Sequence, residues 1–130
     1  MSVRSETRPT GGRWPTILTW VLKAVLALVF LAAAAAKLSG QPMMVAEFGK
    51  VGLGQGFRYV VGATELAGAV LLLWPRSAVF GAIILFAVCA GAFVAQVGPL
   101  HGDLIHVFVL GALTALAAWL SRPAWLRAAP

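Results

Sequence analysis

Apolar residues fill four long stretches of this chain, and the polar ones gather between them. The stretches are Pro15–Leu38, Arg58–Trp74, Ala78–Val97 and Leu104–Leu120. A helix rises about 1.5 Å per residue, so crossing a hydrocarbon layer of about 30 Å takes roughly 20 residues. The first and third stretches meet that length, and the second and fourth sit at its lower limit. The pattern predicts an all-α bundle of four transmembrane helices. Between the first two stretches, "PMMVAEFGKVGLG" sets Met43, Met44, Phe48 and Val51 at helical spacing before Gly52, Gly54 and Gly56 interrupt it. A short amphipathic helix lying in the membrane interface is expected there. "WPRS" and "GPLHGD" read as tight turns. The domain organisation is a basic tail at 1–14, a membrane domain at 15–121 and a second basic tail at 122–130.

Composition strengthens this reading. Hydrophobic residues make up 61% of the 130, against ten basic and four acidic ones. So small a body cannot hide that much apolar surface from water. An N-terminal signal peptide is disfavoured, because the first apolar run is longer than such a region and three more follow. The net charge of +6 has no dense basic run with interleaved aromatics, which argues against a nucleic-acid partner. It reports topology instead. Arg4, Arg8, Arg13, Arg76, Arg122 and Arg127 fall on one side of the expected membrane, and Lys37, Lys50 and Arg58 on the other. Six against three places both termini in the cytoplasm. Trp14, Trp20, Trp74, Trp119 and Trp125 lie near the cytoplasmic ends, as interfacial indoles do.

An ionisable residue at bilayer depth costs at least about 2.5–3.5 kcal/mol unless it is paired or used. Glu65, inside "GATELAGAVLLLW", is such a residue. Lys37, Gln96, His101, Asp103 and His106 are expected in the same outer half of the bilayer. The inner half holds only Lys23, whose stem can snorkel to the headgroups, and Thr114, whose hydroxyl can bond its own helix. Two readings of the outer cluster stay open. Glu65 pairs with Lys37 or His106 and locks helices together, or the group lines an outward-facing polar pocket that binds a head group or relays protons. His101, Asp103 and His106 with Glu65 match no specific metal spacing, and Asp103 reads more simply as a helix cap. No metal site is assigned. Cys89 is the only cysteine, so no internal disulfide or CxxC motif exists, and it reads as a small buried apolar residue. Ala87, Gly91 and Ala95 recur at four-residue steps and are expected to form the packing face of the bundle.

"AAAAAKLSG", "GATELAGAVLLLWP" and "AVFGAIILFAVCAGAFVAQV" together resemble the DoxX-like family of small bacterial membrane proteins, over Val25 to Leu120. The resemblance implies a four-helix bundle in the bacterial cytoplasmic membrane with a polar pair at Lys37 and Glu65. Many relatives carry a histidine near the end of the third helix, where this chain has Gln96, which cannot titrate. Relatives belong to a thiosulfate:quinone oxidoreductase or to an oxidative-stress complex. The expectation is a membrane subunit or anchor of a redox complex, with a redox protein or a second copy as partner. It has no intrinsic cofactor, and a quinone is the candidate ligand. A scaffold for another membrane protein is the alternative. A transporter is disfavoured, because no span carries a polar stripe along its full length.

Overall fold

The computed structural model describes residues 14–122. The two basic tails, with Arg4, Arg8, Arg13, Trp125 and Arg127, lie outside them. The described residues form five helices and no strand: α1 (Trp14–Ser39), α2 (Pro42–Val51), α3 (Gln55–Leu72), α4 (Ala78–Val97) and α5 (Ile105–Leu120). Two are long and apolar enough to cross a membrane, α1 over Pro15–Ser39 and α4 over Ala78–Val97. At 16 residues α5 is shorter, and α3 is made less apolar by Arg58 and Glu65.

The four long helices pack in ring order. α1 lies on α3, α3 on α4 and α4 on α5, while α5 meets α1 along a thinner seam. The core is built from Leu26, Phe30, Leu72, Leu85 and Ala117, with Cys89 beside them. α1 ends in a Schellman turn: Gly40 takes φ 74°, its N–H donates to Lys37 O, and the Gln41 N–H donates to Ala36 O. Pro42 then opens α2 at its first turn, where no N–H is needed. α2 rests on α3 through Phe48, whose ring lies 5.9 Å from that of Phe57.

The inter-helix contact face of α4 differs from the expected one. Ala87 and Gly91 are exposed, Ala95 is half-buried, and a β-carbon on Gly91 would meet nothing within 4 Å. The face turned inward is Ala78, Gly81, Ala82, Leu85 and Cys89. Its tightest point is Gly81, where a β-carbon would fall 2.6 Å from both the Gly68 carbonyl oxygen and the Leu72 nitrogen. Those are backbone atoms and cannot swing aside. Helices of small residues approach wherever the smallest ones face a neighbour. Here that is α3, which meets Gly81 and Leu85 and not Gly91.

Lys23 reaches back one turn toward the start of α1. It is 5% exposed, on the inward stripe of α1 with Leu26, Ala27 and Phe30, and its ammonium stands 4.2 Å from the centre of the Trp20 ring. The cation thus stays near its own helix over an indole face, an arrangement that favours it when water is scarce.

Gly81→Val is expected to lower bundle stability by about 3 kcal/mol, the upper range for overpacking a tight contact. Gly91→Leu should leave the monomer's stability within about 0.5 kcal/mol, as for an open surface position. Denaturation in detergent micelles followed by circular dichroism checks both.

Candidate functional site

Position 62 decides how closely α1 and α3 approach. A β-carbon on Gly62 would stand 3.1 Å from Lys37 Cβ and 3.0 Å from Leu38 Cγ, so any larger residue would push these side chains aside by a few tenths of an ångström. Three residues on, Glu65 emerges on the same side of α3, because positions three apart share a helix face. The Lys37 ammonium then reaches Glu65 Oε1 at 2.7 Å. Glu65 is 2% exposed and the Lys37 side chain 15%. The carboxylate is thus removed from its surroundings and satisfied by its own cation, as a buried charge requires.

A second cation stands one step away. Arg58 is buried, and its guanidinium donates through Nη1 to the Lys37 carbonyl and through Nε to Gln55 Oε1 at 2.8 Å. Gln55 in turn donates from Nε2 to Val45 O at 3.0 Å. The Arg58 guanidinium also lies over the Tyr59 ring, 4.3 Å from its centre. The carbonyl end of α1 carries partial negative charge, which suits a guanidinium there. Arg58 therefore ties α1, α2 and α3 together by holding the backbone of the lysine that makes the ion pair.

Sequence reasoning counted Arg58 only as a loop charge. The signal that identifies it is periodic: Arg58, Gly62, Glu65, Ala69 and Leu72 are all buried along one face of α3.

Cys89 on α4 and Thr114 on α5 are buried and also face the core, and a β-carbon on Gly111 of α5 would stand 3.7 Å from Cys89 Cβ. Thr114 Oγ1 donates to Gly111 O at 2.9 Å. Lys37, Glu65, Cys89 and Thr114 thus bring one polar group inward from each of the four ring helices. Thr114 does bond its own helix as expected. Its neighbourhood with Cys89 was missed, because no sequence spacing links α4 to α5.

The remaining predicted residues are not joined to this centre by any hydrogen bond or ion pair among the described residues. Gln96 is half-buried at the end of α4, and His101 is exposed at φ 47°. Asp103 Oδ1 accepts from the Ile105 N–H at 2.9 Å from just ahead of α5, whose cap residue is Leu104 and not Asp103 as expected, since the helix starts one residue later. His106 Nδ1 lies 3.5 Å from Asp103 Oδ2, and both side chains are well exposed. Among the described residues, no three His, Cys, Asp or Glu side chains stand together as a metal would need. A separate groove of about 480 Å³ lies between α4 and α5, with Cys89, Gly111 and Val107 among its lining and the edge-to-face rings of Phe93 and Phe108 along it.

A profile of the DoxX-like family matches residues 21–120. The chain belongs to the DoxX-like family. It is a membrane protein of that family, and its apolar helices contact the lipid bilayer. No curated protein and no solved structure matches the chain. The matched region covers α2 to α5 and α1 from residue 21 on, and includes Lys37, Arg58 and Glu65.

Removing one partner of a buried ion pair strands the other, whereas removing both can be nearly neutral. Glu65→Gln is therefore expected to destabilise the bundle by about 3 kcal/mol, and Lys37→Met with Glu65→Met by less than about 1 kcal/mol. A double-mutant cycle on detergent denaturation checks the coupling. Arg58→Leu should raise amide hydrogen exchange through α2 and the first turn of α3 while leaving α5 unchanged. Its cost is expected at about 2 kcal/mol, the scale of losing hydrogen bonds to a charged group.

Proposed function

We propose that the chain is a non-catalytic, four-pass subunit of the bacterial cytoplasmic membrane, with both termini in the cytoplasm. Its role is to anchor or stabilise a redox complex that works on quinones or in the oxidative-stress response. The observation that carries the reading is the Lys37–Glu65 pair: the most deeply buried carboxylate is spent on the neighbouring helix, 2.7 Å from its cation. A group so engaged holds the bundle in shape, which suits an anchoring role. The redox setting rests on what the family resemblance implies, which is an argument by association.

Several features support the topology. In an antiparallel ring the start of α1, the end of α3 and the end of α5 share one face of the membrane. That end presents exposed Trp20, Trp74 and Trp119, together with Arg76 and Arg122. Arg122 lies over the Trp119 ring at 3.8 Å. Two of the three cations expected on the far side, Lys37 and Arg58, are turned inward and contribute little surface charge. A basic, indole-rich end against a nearly neutral one is the usual cytoplasmic pattern. The reading puts Gln96, His101, Asp103 and His106, at the end of α4 and the start of α5, on the outer side where a head group would meet the protein.

A scaffold for another membrane protein is the second reading. The exposed Ala87 and Gly91 on α4 favour it, since that small-residue surface is left open among the described residues.

Native mass spectrometry of the protein released gently from its own membranes separates the two. The redox reading expects a protein partner or a quinone-sized molecule to be retained by the wild type and lost in Glu65→Gln, with Gly91→Leu unaffected. Loss of the partner in Gly91→Leu alone would replace it with the scaffold reading. Cysteines placed at Ser77 and Gly102, in a Cys89→Ala background, check the topology with a membrane-impermeant thiol reagent. Position 102 should label in intact cells and position 77 only after lysis.

A further inference from the structure

The ion-pair centre does not balance its own charge. Lys37 answers Glu65, but Arg58, only 5% exposed, forms no ion pair among the described residues. Of the chain's four acids, Glu65 is taken by Lys37 and Asp103 stands beside His106. Glu6 lies outside the described residues, and Glu47 on α2 pairs with no described cation. The carbonyl end of α1 supplies about half a negative charge, so roughly half of the guanidinium's charge is left unanswered. We propose that the corner where α1, α2 and α3 meet around Arg58 is a binding site for a phosphate group, carried by a phospholipid head or free in water. The inference rests on the membrane-spanning reading given above, which puts this corner at the outer boundary, but not on a redox partner.

The first support is the set of unused donors on Arg58. A guanidinium has five N–H donors. Nε spends one on Gln55 Oε1 and Nη1 one on the Lys37 carbonyl, while Nη2 makes no hydrogen bond among the described residues. Nη2 lies against Gly40, where a β-carbon would stand 3.7 Å from it and 3.5 Å from Nη1. The φ of 74° that the Schellman turn requires keeps a glycine there, so no side chain covers the guanidinium at that point.

The second is the helix that starts beside it. Gly40 leads directly into α2, whose cap residue Gln41 makes no side-chain cap bond and whose first residue, Pro42, has no N–H. Val45 is the first to donate back, to Gln41 O, which leaves the Met43 and Met44 N–H groups without a carbonyl to meet. Gln55 fixes this turn next to Arg58, donating from Nε2 to Val45 O while its Oε1 accepts from Arg58 Nε. A helix start with free N–H groups attracts an anion, and a buried cation without a counter-ion requires one.

The third is shape. A carboxylate has two oxygens, which a guanidinium fork occupies by itself. A phosphate has oxygens left over for the two N–H groups of α2. Met43 and Tyr59, which border the corner, are exposed apolar and amphipathic residues, so a phosphate there meets both water and lipid.

The test follows the isotope-labelled full-length protein in uncharged maltoside micelles by NMR, reading the Met43 and Met44 amides and the Arg58 Nε–H. Inorganic phosphate is titrated in one series and phosphatidylglycerol in a second, with diacylglycerol of the same chains as the phosphate-free blank. Saturable shifts are expected at these three groups and not along α5. Gln41→Asp places a carboxylate at the helix cap, where it favours α2 and occupies the same N–H groups. It should keep the fold and weaken phosphate binding about tenfold, equivalent to about 1.4 kcal/mol. Arg58→Lys keeps the charge but loses the fork and should weaken binding several-fold. Lys50→Gln, an exposed position at the other end of α2, should leave it unchanged. Shifts that do not saturate, an unchanged affinity in Gln41→Asp, or an equal response to diacylglycerol would overturn the site. Equal affinity for the lipid and the free ion supports a site filled from water, and tighter binding of the lipid supports one filled from the outer leaflet. The readout needs no partner protein, so loss of the redox reading and loss of this site register separately.

Discussion

A carboxylate cannot remain charged among apolar helices unless a cation meets it, and that requirement sets the position of α3 against α1. Glu65 and Lys37 lie 2.7 Å apart, and Gly62 leaves room for the two helices to close there. Arg58 then holds the lysine's own carbonyl, so the end of α1 is fixed by its side chain and its backbone at once. In hydrocarbon, where burying an apolar side chain gains little over leaving it in lipid, such contacts and tight packing supply the order that water supplies elsewhere.

α3 is the hinge of this arrangement because it touches both neighbours through different parts of one face. Its first half, with Arg58, Gly62 and Glu65, meets α1 by charge and hydrogen bonding. Further along, Gly68 and Leu72 meet Gly81 of α4 by close backbone approach. One half is directional and the other steric. Each fixes a degree of freedom that the other leaves loose: the ion pair sets rotation, and the glycine contact sets separation.

The ring that results has unequal seams. α4 and α5 pack closely in the core where Gly111 meets Cys89, yet leave the groove on the outside, and α5 meets α1 only sparsely. The inside of the protein is thus polar at a few satisfied points, while its outside offers apolar surface with polar rims.

Much of this was legible one helix at a time. Hydrophobic run lengths gave helix limits within a few residues, including the amphipathic α2, because burial and capping are local requirements. The need of Glu65 for a cation was legible too, since the cost of an unpaired charge does not depend on which helix supplies the partner. Other features were not local. Arg58 read as a loop charge until the Schellman turn of α1 came within its reach. Thr114 read as an isolated hydroxyl until α5 lay against Cys89. Ala87, Gly91 and Ala95 form a stripe as regular as the inward one, and nothing within α4 says which of the two faces α3. The sequence by itself determined the helices and which residues required burial. Which faces meet was decided only by the tertiary structure, because a 3.6-residue repeat leaves several small-residue stripes on one helix and only contact with a neighbour selects among them.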